Sequence, residues 1–153
     1  MTGLAARPPQ AVLFACSHNM IRSPMAAALL RLRWGKTIWV DSCGVRLSAR
    51  TADPFAIEVM DELGADLKPH RAKTFADLDD ASFDLIVTLT PEAHHQALEF
   101  TRTLAAEVEY WPTYDPALAQ GSRAQRLEEF RSVRDALAAR ILARFGRPST
   151  GQA

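Results

Sequence analysis

The sequence predicts an α/β fold, a three-layer sandwich in which helices cover both faces of a parallel β-sheet. Two observations lead to this prediction. Strand-like apolar runs alternate with helical segments, and a chain of 153 residues with 48% hydrophobic and 24% charged side chains has the size and composition of one compact domain. We therefore expect a single domain over residues 10–146, with a flexible leader at 1–9 and a flexible tail at 147–153.

The first half of the chain predicts two strands and two helices. Residues 11–15 form a short apolar run, 25–34 have a helical composition, and 37–40 are rich in residues that favour strands. Asp53-Pro54 begins a second helix, and Gly64 ends it. The apolar face of this helix consists of Phe55, Val59, Met60 and Leu63.

The second half predicts two further strands and two helices. Residues 83–89 form a buried strand, a helix runs from Pro91 to about Thr103, and residues 107–111 are a short strand candidate. A long amphipathic helix covers 122–145. Its inward face is predicted to consist of Leu127, Phe130, Val133, Leu137, Ile141 and Leu142.

Charge and cysteine content exclude several classes of function. Eighteen Lys and Arg side chains balance eighteen Asp and Glu side chains, so no net charge attracts nucleic acid or an anionic membrane. The leader lacks the apolar segment of a secretory signal, and no run is long enough to span a bilayer. Cys16 and Cys43 are too few for a disulfide scaffold, so we expect free thiols in a cytoplasmic protein.

The stretch VLFACSHNMIRSPMAAALL, residues 12–30, joins the first strand to the first helix. Cys16 falls at the carboxyl end of the strand, where parallel sheets bind ligands. Ser23 is the predicted N-cap, and Pro24 is the predicted first helical residue. The helix therefore directs its positive end at the loop 17–21. Backbone N–H groups of such a loop form an anion cradle.

Arg22 adds a planar guanidinium that can hold two oxygens of a phosphate. Thiols at helix N-termini next to a cation ionise readily, which predicts a nucleophilic thiolate at Cys16. The pattern thus predicts that a tetrahedral oxyanion binds here and that sulfur attacks its central atom. A small, buried structural cysteine is the alternative. The preceding strand and the following Arg-Ser-Pro favour the catalytic interpretation.

The same stretch resembles the signature of the low-molecular-weight protein tyrosine phosphatases and of the arsenate reductases built on the same fold. Their loops consist of Cys, five residues, Arg, Ser and Pro. The resemblance covers nearly the whole chain and continues through DSCG at 41–44, ELGADLKPHRAK at 62–73, FDLIVTL at 83–89 and YDPA at 114–117. It implies a four-stranded parallel sheet with flavodoxin-like winding.

The resemblance also implies roles for individual residues. Cys16 would be the nucleophile, Arg22 the oxyanion clamp and Asp115 the general acid. A carboxylic acid on an Asp-Pro turn is suited to protonate a leaving phenolate and later to activate water. The phosphate-binding loop would consist of Ser17, His18, Asn19, Met20, Ile21 and Arg22.

Three supporting residues follow from the same resemblance. Ser23 would stabilise the thiolate, whereas Asn19, with Ser42 as its hydrogen-bond partner, would hold the unusual backbone of the loop. We expect no metal and no cofactor, because the adjacent His94 and His95 lie on different faces of a helix.

Departures from the family pattern concern the substrate pocket. His18 replaces a common glycine, Ile21 a common second cysteine, and Ala117 a common tyrosine. The aromatic residue that often follows the second strand is also absent, although Tyr114 or Trp111 could still form one wall. If His18 and Arg46 rim the pocket, small or acidic phosphorylated substrates should be favoured over bulky peptides.

Three functions follow as hypotheses. The first is metal-independent hydrolysis of phosphate monoesters, with protein phosphotyrosine as the favoured substrate. The second is arsenate reduction, in which Cys16 attacks arsenic and a thiol resolves the adduct. A buried, inert Cys43 is favoured over a resolving Cys43, which leaves external thiols for that step. The third is a binding module without turnover. In each case, the loop is expected to bind phosphate, sulfate or arsenate.

Overall fold

The computed structural model describes residues 8–79 and 82–147. The expected leader at 1–9 and tail at 147–153 lie almost wholly outside the described residues. The strands are β1 (Ala11–Cys16), β2 (Trp39–Gly44), β3 (Leu85–Thr88) and β4 (Glu107–Tyr110). The helices are α1 (Arg22–Trp34), α2 (Pro54–Asp61), α3 (Pro91–Phe100) and α4 (Arg123–Phe145). Two short 3₁₀ turns are Phe75–Asp77 and Pro116–Leu118.

The four strands form one parallel sheet in the order β2-β1-β3-β4. The chain moves from β1 outward to β2 and then crosses back past β1 to β3. This reversal creates a switch point at the carboxyl ends of β1 and β3, where ligands bind in open α/β sheets. The predicted four-stranded parallel sheet with flavodoxin-like winding is confirmed.

Helices pack on both faces of the sheet. Val12 and Phe14 of β1 belong to the core that the sheet forms with α1, α2 and α4. Leu13 and Ala15 of the same strand belong to the opposite core, together with Ala93 of α3. Because side chains alternate along a strand, β1 supplies both cores and is buried on both faces. The predicted three-layer sandwich is confirmed.

Helix α1 begins earlier than the Ser-Pro pattern predicts. Its first residue is Arg22, and Ile21 occupies the N-cap position without a side-chain cap. Ser23 therefore lies inside the first turn and is fully buried, so the prediction that it caps the helix is wrong. Pro24 still falls in the first turn, where its missing N–H costs no helical hydrogen bond.

Strand β2 extends through the DSCG segment instead of ending at residue 40. Asp41 and Ser42 are poor strand formers, which led propensity to end the strand too early. Both side chains have partners on the folded molecule: Asp41 pairs with Lys73 at 2.6 Å, and the Ser42 hydroxyl accepts a hydrogen bond from Asn19. The other predicted elements are present, with differences only at their ends.

None of the helices within 8–79 and 82–147 combines the length and the apolar character that crossing a bilayer would require.

The inward face of α4 is nearly as predicted. Leu142 is the exception, with 41% of its surface exposed, because it lies about 100° around the helix from the buried Ile141. Leu63 is also exposed, since it lies in the turn beyond the end of α2. The residues of α4 that are buried as predicted are Leu127, Phe130, Val133, Leu137 and Ile141.

This difference between two leucines of α4 is testable. Leu137→Ala should lower the free energy of unfolding by about 2–5 kcal/mol, because it leaves a cavity in a packed core. The matched change Leu142→Ala should alter it by less than about 0.5 kcal/mol, as is usual for surface positions. Urea unfolding followed by circular dichroism measures both values. Equal losses for the two variants would contradict the packing described for α4.

Candidate active site

The loop of residues 17–21 leads from the end of β1 into α1 and has a tightly constrained backbone. Asn19 adopts a left-handed conformation with a φ of 57°, which asparagine tolerates better than most residues. The last residue of β2, Gly44, approaches the loop closely. A Cβ at Gly44 would lie 2.9 Å from the Asn19 nitrogen and 2.9 Å from the His18 carbonyl carbon. Glycine is therefore required at this position.

The side chain of Asn19 is fully buried and holds the loop in place. Its Nδ2 donates to the hydroxyls of Ser23 at 2.8 Å and Ser42 at 2.9 Å. Its Oδ1 accepts a hydrogen bond from the Lys73 backbone N–H at 3.0 Å. One amide group thus connects the loop to α1, to β2 and to the segment that follows α2.

His70 fixes the same loop residue through its backbone. The His70 Nε2 lies 2.8 Å from the Asn19 carbonyl oxygen. Burial lowers the pKa of His70, outweighing the effect of this hydrogen bond, so the ring is neutral at neutral pH. Because a carbonyl oxygen can only accept, the proton of the neutral ring resides on Nε2.

The backbone N–H groups of residues 17–22 donate to no protein acceptor within 8–79 and 82–147. Ser17 and Asn19 in this loop are buried. Buried backbone donors are almost always paired, so a run of unpaired ones is unusual. Since the run ends at the first turn of α1, it combines with the positive end of that helix. This arrangement is suited to bind an anion.

Cys16 lies beneath this cradle at the end of β1 and is 2% exposed. Its Sγ is 2.9 Å from the Ser23 Oγ, and the same oxygen is 3.3 Å from the Cys43 carbonyl oxygen. Because Ser23 already accepts a hydrogen bond from Asn19, its own proton is available to the sulfur at the shorter distance. A hydroxyl that donates to sulfur stabilises a thiolate.

Arg22 and Asp115 meet at the open side of the cradle. The Arg22 Nη1 donates to the Thr113 carbonyl oxygen at 3.1 Å, and its Nη2 is 3.7 Å from the Asp115 Oδ2. The other carboxylate oxygen of Asp115 accepts a hydrogen bond from the Ala117 N–H at 3.0 Å. The 3₁₀ turn after Asp115 thus orients the carboxylate toward the arginine.

A cavity of about 190 Å³ brings most of the predicted site residues together. The residues that line it are Cys16, His18, Met20, Ile21, Arg22, Ser48, Asp53, Asp115 and Ala117. Of the remaining predicted residues, Asn19, Ser23 and Ser42 belong to the buried network below the loop. The cavity therefore contains a thiol, a guanidinium and two carboxylates beside a run of N–H donors that have no acceptor in the described part of the chain.

Ser17 belongs to a separate network on the far side of the loop. Its hydroxyl donates to Glu92 at 3.0 Å, and Glu92 accepts two hydrogen bonds from Arg46. These bonds from Arg46, and then from Ser17, lower the pKa of Glu92. Arg46 is thus paired with Glu92 and does not line the cavity, contrary to the expectation that it rims the pocket.

The two cysteines face opposite sides of the sheet. Ala15 and Cys43 are partners in the register of β1 and β2, and both belong to the core around α3. Cys16 follows Ala15 and therefore points to the other face, within the core around α1. Burial, followed by the neighbouring Cys16 and Asp41, raises the pKa of Cys43 well above its ordinary range. Cys43 is placed as an inert, buried thiol.

No group of three or more His, Cys, Asp or Glu side chains is arranged to hold a metal ion in the described ranges. His94 is used structurally, since its Nδ1 lies 3.0 Å from the Thr88 hydroxyl and its ring stacks on Tyr110.

Four residues that shape the site had no assigned role in the sequence analysis: Gly44, His70, Lys73 and Glu92. Three of them lie in the segments 41–44 and 62–73, to which the family resemblance extends. The resemblance identified these segments but did not show which residues they contact. No sequence pattern predicted a role for Glu92, because its partners Ser17 and Arg46 are remote in sequence.

Comparisons with known proteins point to one family. The family model described as "Low molecular weight phosphotyrosine protein phosphatase" matches residues 11–142. An arsenate reductase of Halalkalibacterium halodurans is 31% identical over 133 residues, which cover 85% of this chain and 91% of that protein. The "Probable low molecular weight protein-tyrosine-phosphatase EpsP" of Ralstonia solanacearum is 46% identical over 63 residues, 40% of this chain and 43% of that protein.

Solved structures match over most of the chain. The low molecular weight protein tyrosine phosphatase from T. tengcongensis has a TM-score of 0.73 at 25% identity, covering 86% of this chain and 95% of that one. An arsenate reductase in the phosphate binding state has a TM-score of 0.66 at 28% identity, covering 88% and 95%. The chain therefore belongs to the low-molecular-weight phosphotyrosine protein phosphatase family, in which its relatives include both tyrosine phosphatases and arsenate reductases.

Proposed function

We propose that the protein is a metal-independent cysteine phosphatase that hydrolyses phosphate monoesters, with protein phosphotyrosine as the favoured substrate. The observation that carries the proposal is the run of N–H donors at residues 17–22 that find no acceptor within the described residues, beside the cavity that the Cys16 thiol lines. A related arsenate reductase has been solved in a phosphate binding state, which supports oxyanion binding by this loop.

Binding uses charge and backbone together. The phosphate oxygens accept hydrogen bonds from the loop N–H groups, and the first turn of α1 adds its positive dipole. Arg22 is held by the Thr113 carbonyl and turns its remaining donors to two phosphate oxygens. The phosphate thereby replaces Asp115 as the anionic partner of Arg22.

Chemistry begins when the Cys16 Sγ attacks phosphorus. The S–P bond forms as the P–O bond to the leaving group breaks. Protonated Asp115 gives its proton to the departing oxygen, which leaves as a neutral alcohol or phenol. Asp115 suits this role because it lines the same cavity as Cys16 while its carboxylate is held by the Ala117 N–H.

Hydrolysis of the phosphocysteine completes the cycle. The ionised Asp115 accepts a proton from water, whose oxygen attacks phosphorus as the S–P bond breaks. Phosphate leaves, and the thiolate that returns on Cys16 accepts a hydrogen bond from the Ser23 hydroxyl. Ser23 thereby assists sulfur as the leaving group.

The proposal predicts distinct losses for two variants assayed with p-nitrophenyl phosphate in chelator-treated buffer. Cys16→Ser should abolish turnover, because it removes the nucleophile. Asp115→Asn should lower kcat about 10²–10⁴-fold, since it removes the general acid while retaining an oxygen for the Ala117 N–H. Asp61→Asn, at an exposed carboxylate, is the matched control and should retain wild-type kcat. Absence of turnover in folded, reduced wild-type protein would refute the proposal.

Arsenate reduction is the second candidate, favoured by the 31% identity with an arsenate reductase over most of both chains. Arsenate resembles phosphate in shape and charge. Cys16 attacks arsenic and displaces hydroxide, which takes up a proton as water. An external thiolate then attacks the Cys16 sulfur, so As(V) leaves as As(III) and the two thiols become a mixed disulfide. A second external thiol restores Cys16. Cys43 belongs to the core on the other face of the sheet, which favours an external thiol for this step.

This second candidate predicts arsenite release that depends on added glutathione. Cys43→Ala should retain the wild-type rate, whereas Cys16→Ala should have none. Arsenite is measured separately from arsenate by chromatography with elemental detection. A folded Cys43→Ala variant that has lost reduction would contradict the external-thiol route. Binding of phosphate without either reaction would favour the non-catalytic module.

A further inference from the structure

The mouth of the active-site cavity differs from a pocket built for an aromatic ring. No Phe, Tyr or Trp side chain lines it within the described residues. Its walls are formed by small or flexible side chains, among them Ser48, Ala117 and Met20, and the Ser48 hydroxyl contacts the Met20 sulfur at 3.2 Å. Stacking on an aromatic wall is therefore not how this mouth selects substrates. Its charged groups remain as the source of selectivity.

The charged and titratable groups that line the cavity are His18, Arg22, Asp53 and Asp115. In the proposed reaction Arg22 is engaged with the phosphate, and Asp115 enters the first step protonated. His18 lines the same cavity as part of the loop that follows β1. Asp53 is the remaining carboxylate of the cavity, and it forms no ion pair among residues 8–79 and 82–147.

Only one of the two carboxylate oxygens of Asp53 has a structural role. It is the N-cap of α2, and its Oδ1 accepts a hydrogen bond from the Phe55 N–H at 2.8 Å. Its backbone N–H donates to the Met20 carbonyl, which anchors it to the loop. The Oδ2 has no hydrogen-bond or salt-bridge partner among residues 8–79 and 82–147. A cap needs no charge, since asparagine caps equally well.

We propose that Asp53 is a specificity-determining residue that favours phosphorylated substrates with a basic side chain beside the phosphorylated residue. The inference rests on the proposed phosphatase function. A negative charge close to the phosphate site repels a substrate that brings only negative charge. A Lys or Arg of the substrate at the mouth converts that repulsion into attraction. The expected substrate class is thus a basic phosphopeptide rather than an acidic one.

The experiment compares kcat/KM for three phosphotyrosyl peptides that differ only in having Lys, Gln or Glu beside the phosphotyrosine. Wild type should prefer Lys over Gln and Gln over Glu, by about two- to fivefold a step, as for a partly exposed ion pair. Asp53→Asn retains the cap and removes the charge, so the Lys-to-Glu ratio should fall close to one. Asp61→Asn, which removes an exposed carboxylate at the last residue of α2, should retain the wild-type ratio. High salt should reduce the ratio in wild type and in Asp61→Asn and leave it unchanged in Asp53→Asn.

Two outcomes would overturn the proposal: a Lys-to-Glu ratio that is the same in wild type and Asp53→Asn, or a wild type that prefers Glu. Turnover of p-nitrophenyl phosphate is measured on the same samples. If wild type turns over this compound but shows no charge preference among the peptides, the role of Asp53 is refuted and the phosphatase function is not. No turnover of any substrate would refute the phosphatase function itself.

Discussion

The buried amide of Asn19 is the interaction on which the geometry of this site depends. Asparagine combines two N–H donors with a carbonyl acceptor, and here both ends are used, by two hydroxyls and one backbone N–H. Leaving one such buried partner unpaired costs about 1–3 kcal/mol. The same residue takes the left-handed turn that sets the directions of the neighbouring N–H groups. One side chain therefore stabilises the loop conformation and sets the directions of its N–H groups.

The order of the strands explains how these partners reach Asn19 and its neighbours. Because β1 lies between β2 and β3, each adjacent strand delivers contacts to the loop that follows β1. The end of β2 supplies Ser42 and the close approach of Gly44, while the turn after β3 supplies Thr90 and Glu92 to Ser17. A carboxylate so near an anion cradle is unfavourable by itself. Arg46 and the N-terminal end of α3 offset its charge.

Local patterns predicted the parts of the site that are local. The strand, the loop length and the Arg-Ser-Pro sequence put Cys16 and Arg22 at the sheet edge, and the structure has them in one cavity. Asp115 was indicated by resemblance alone, because nothing near it in sequence shows that its turn folds over Arg22. The wrong predictions of a cap at Ser23 and of an early end of β2 have a common cause. Residue propensities contain no information about the tertiary partners of a side chain. Arg46 differs from expectation because Glu92 is remote in sequence.

The pleat of the sheet also decides which chemistry can follow attack by Cys16. The chain has two cysteines, and neighbouring positions on paired strands point Cys16 and Cys43 into opposite cores. Ile21 stands at the loop position where the family resemblance has a common second cysteine. Cys43 does not line the active-site cavity, which favours an external thiol as the partner of an arsenic adduct or of an oxidised Cys16. The two proposed functions share the first step, attack by Cys16, and differ in how the group bound to sulfur is released. Water activated by Asp115 resolves a phosphocysteine, whereas an arsenic adduct needs a thiol that enters through the mouth beside Asp53.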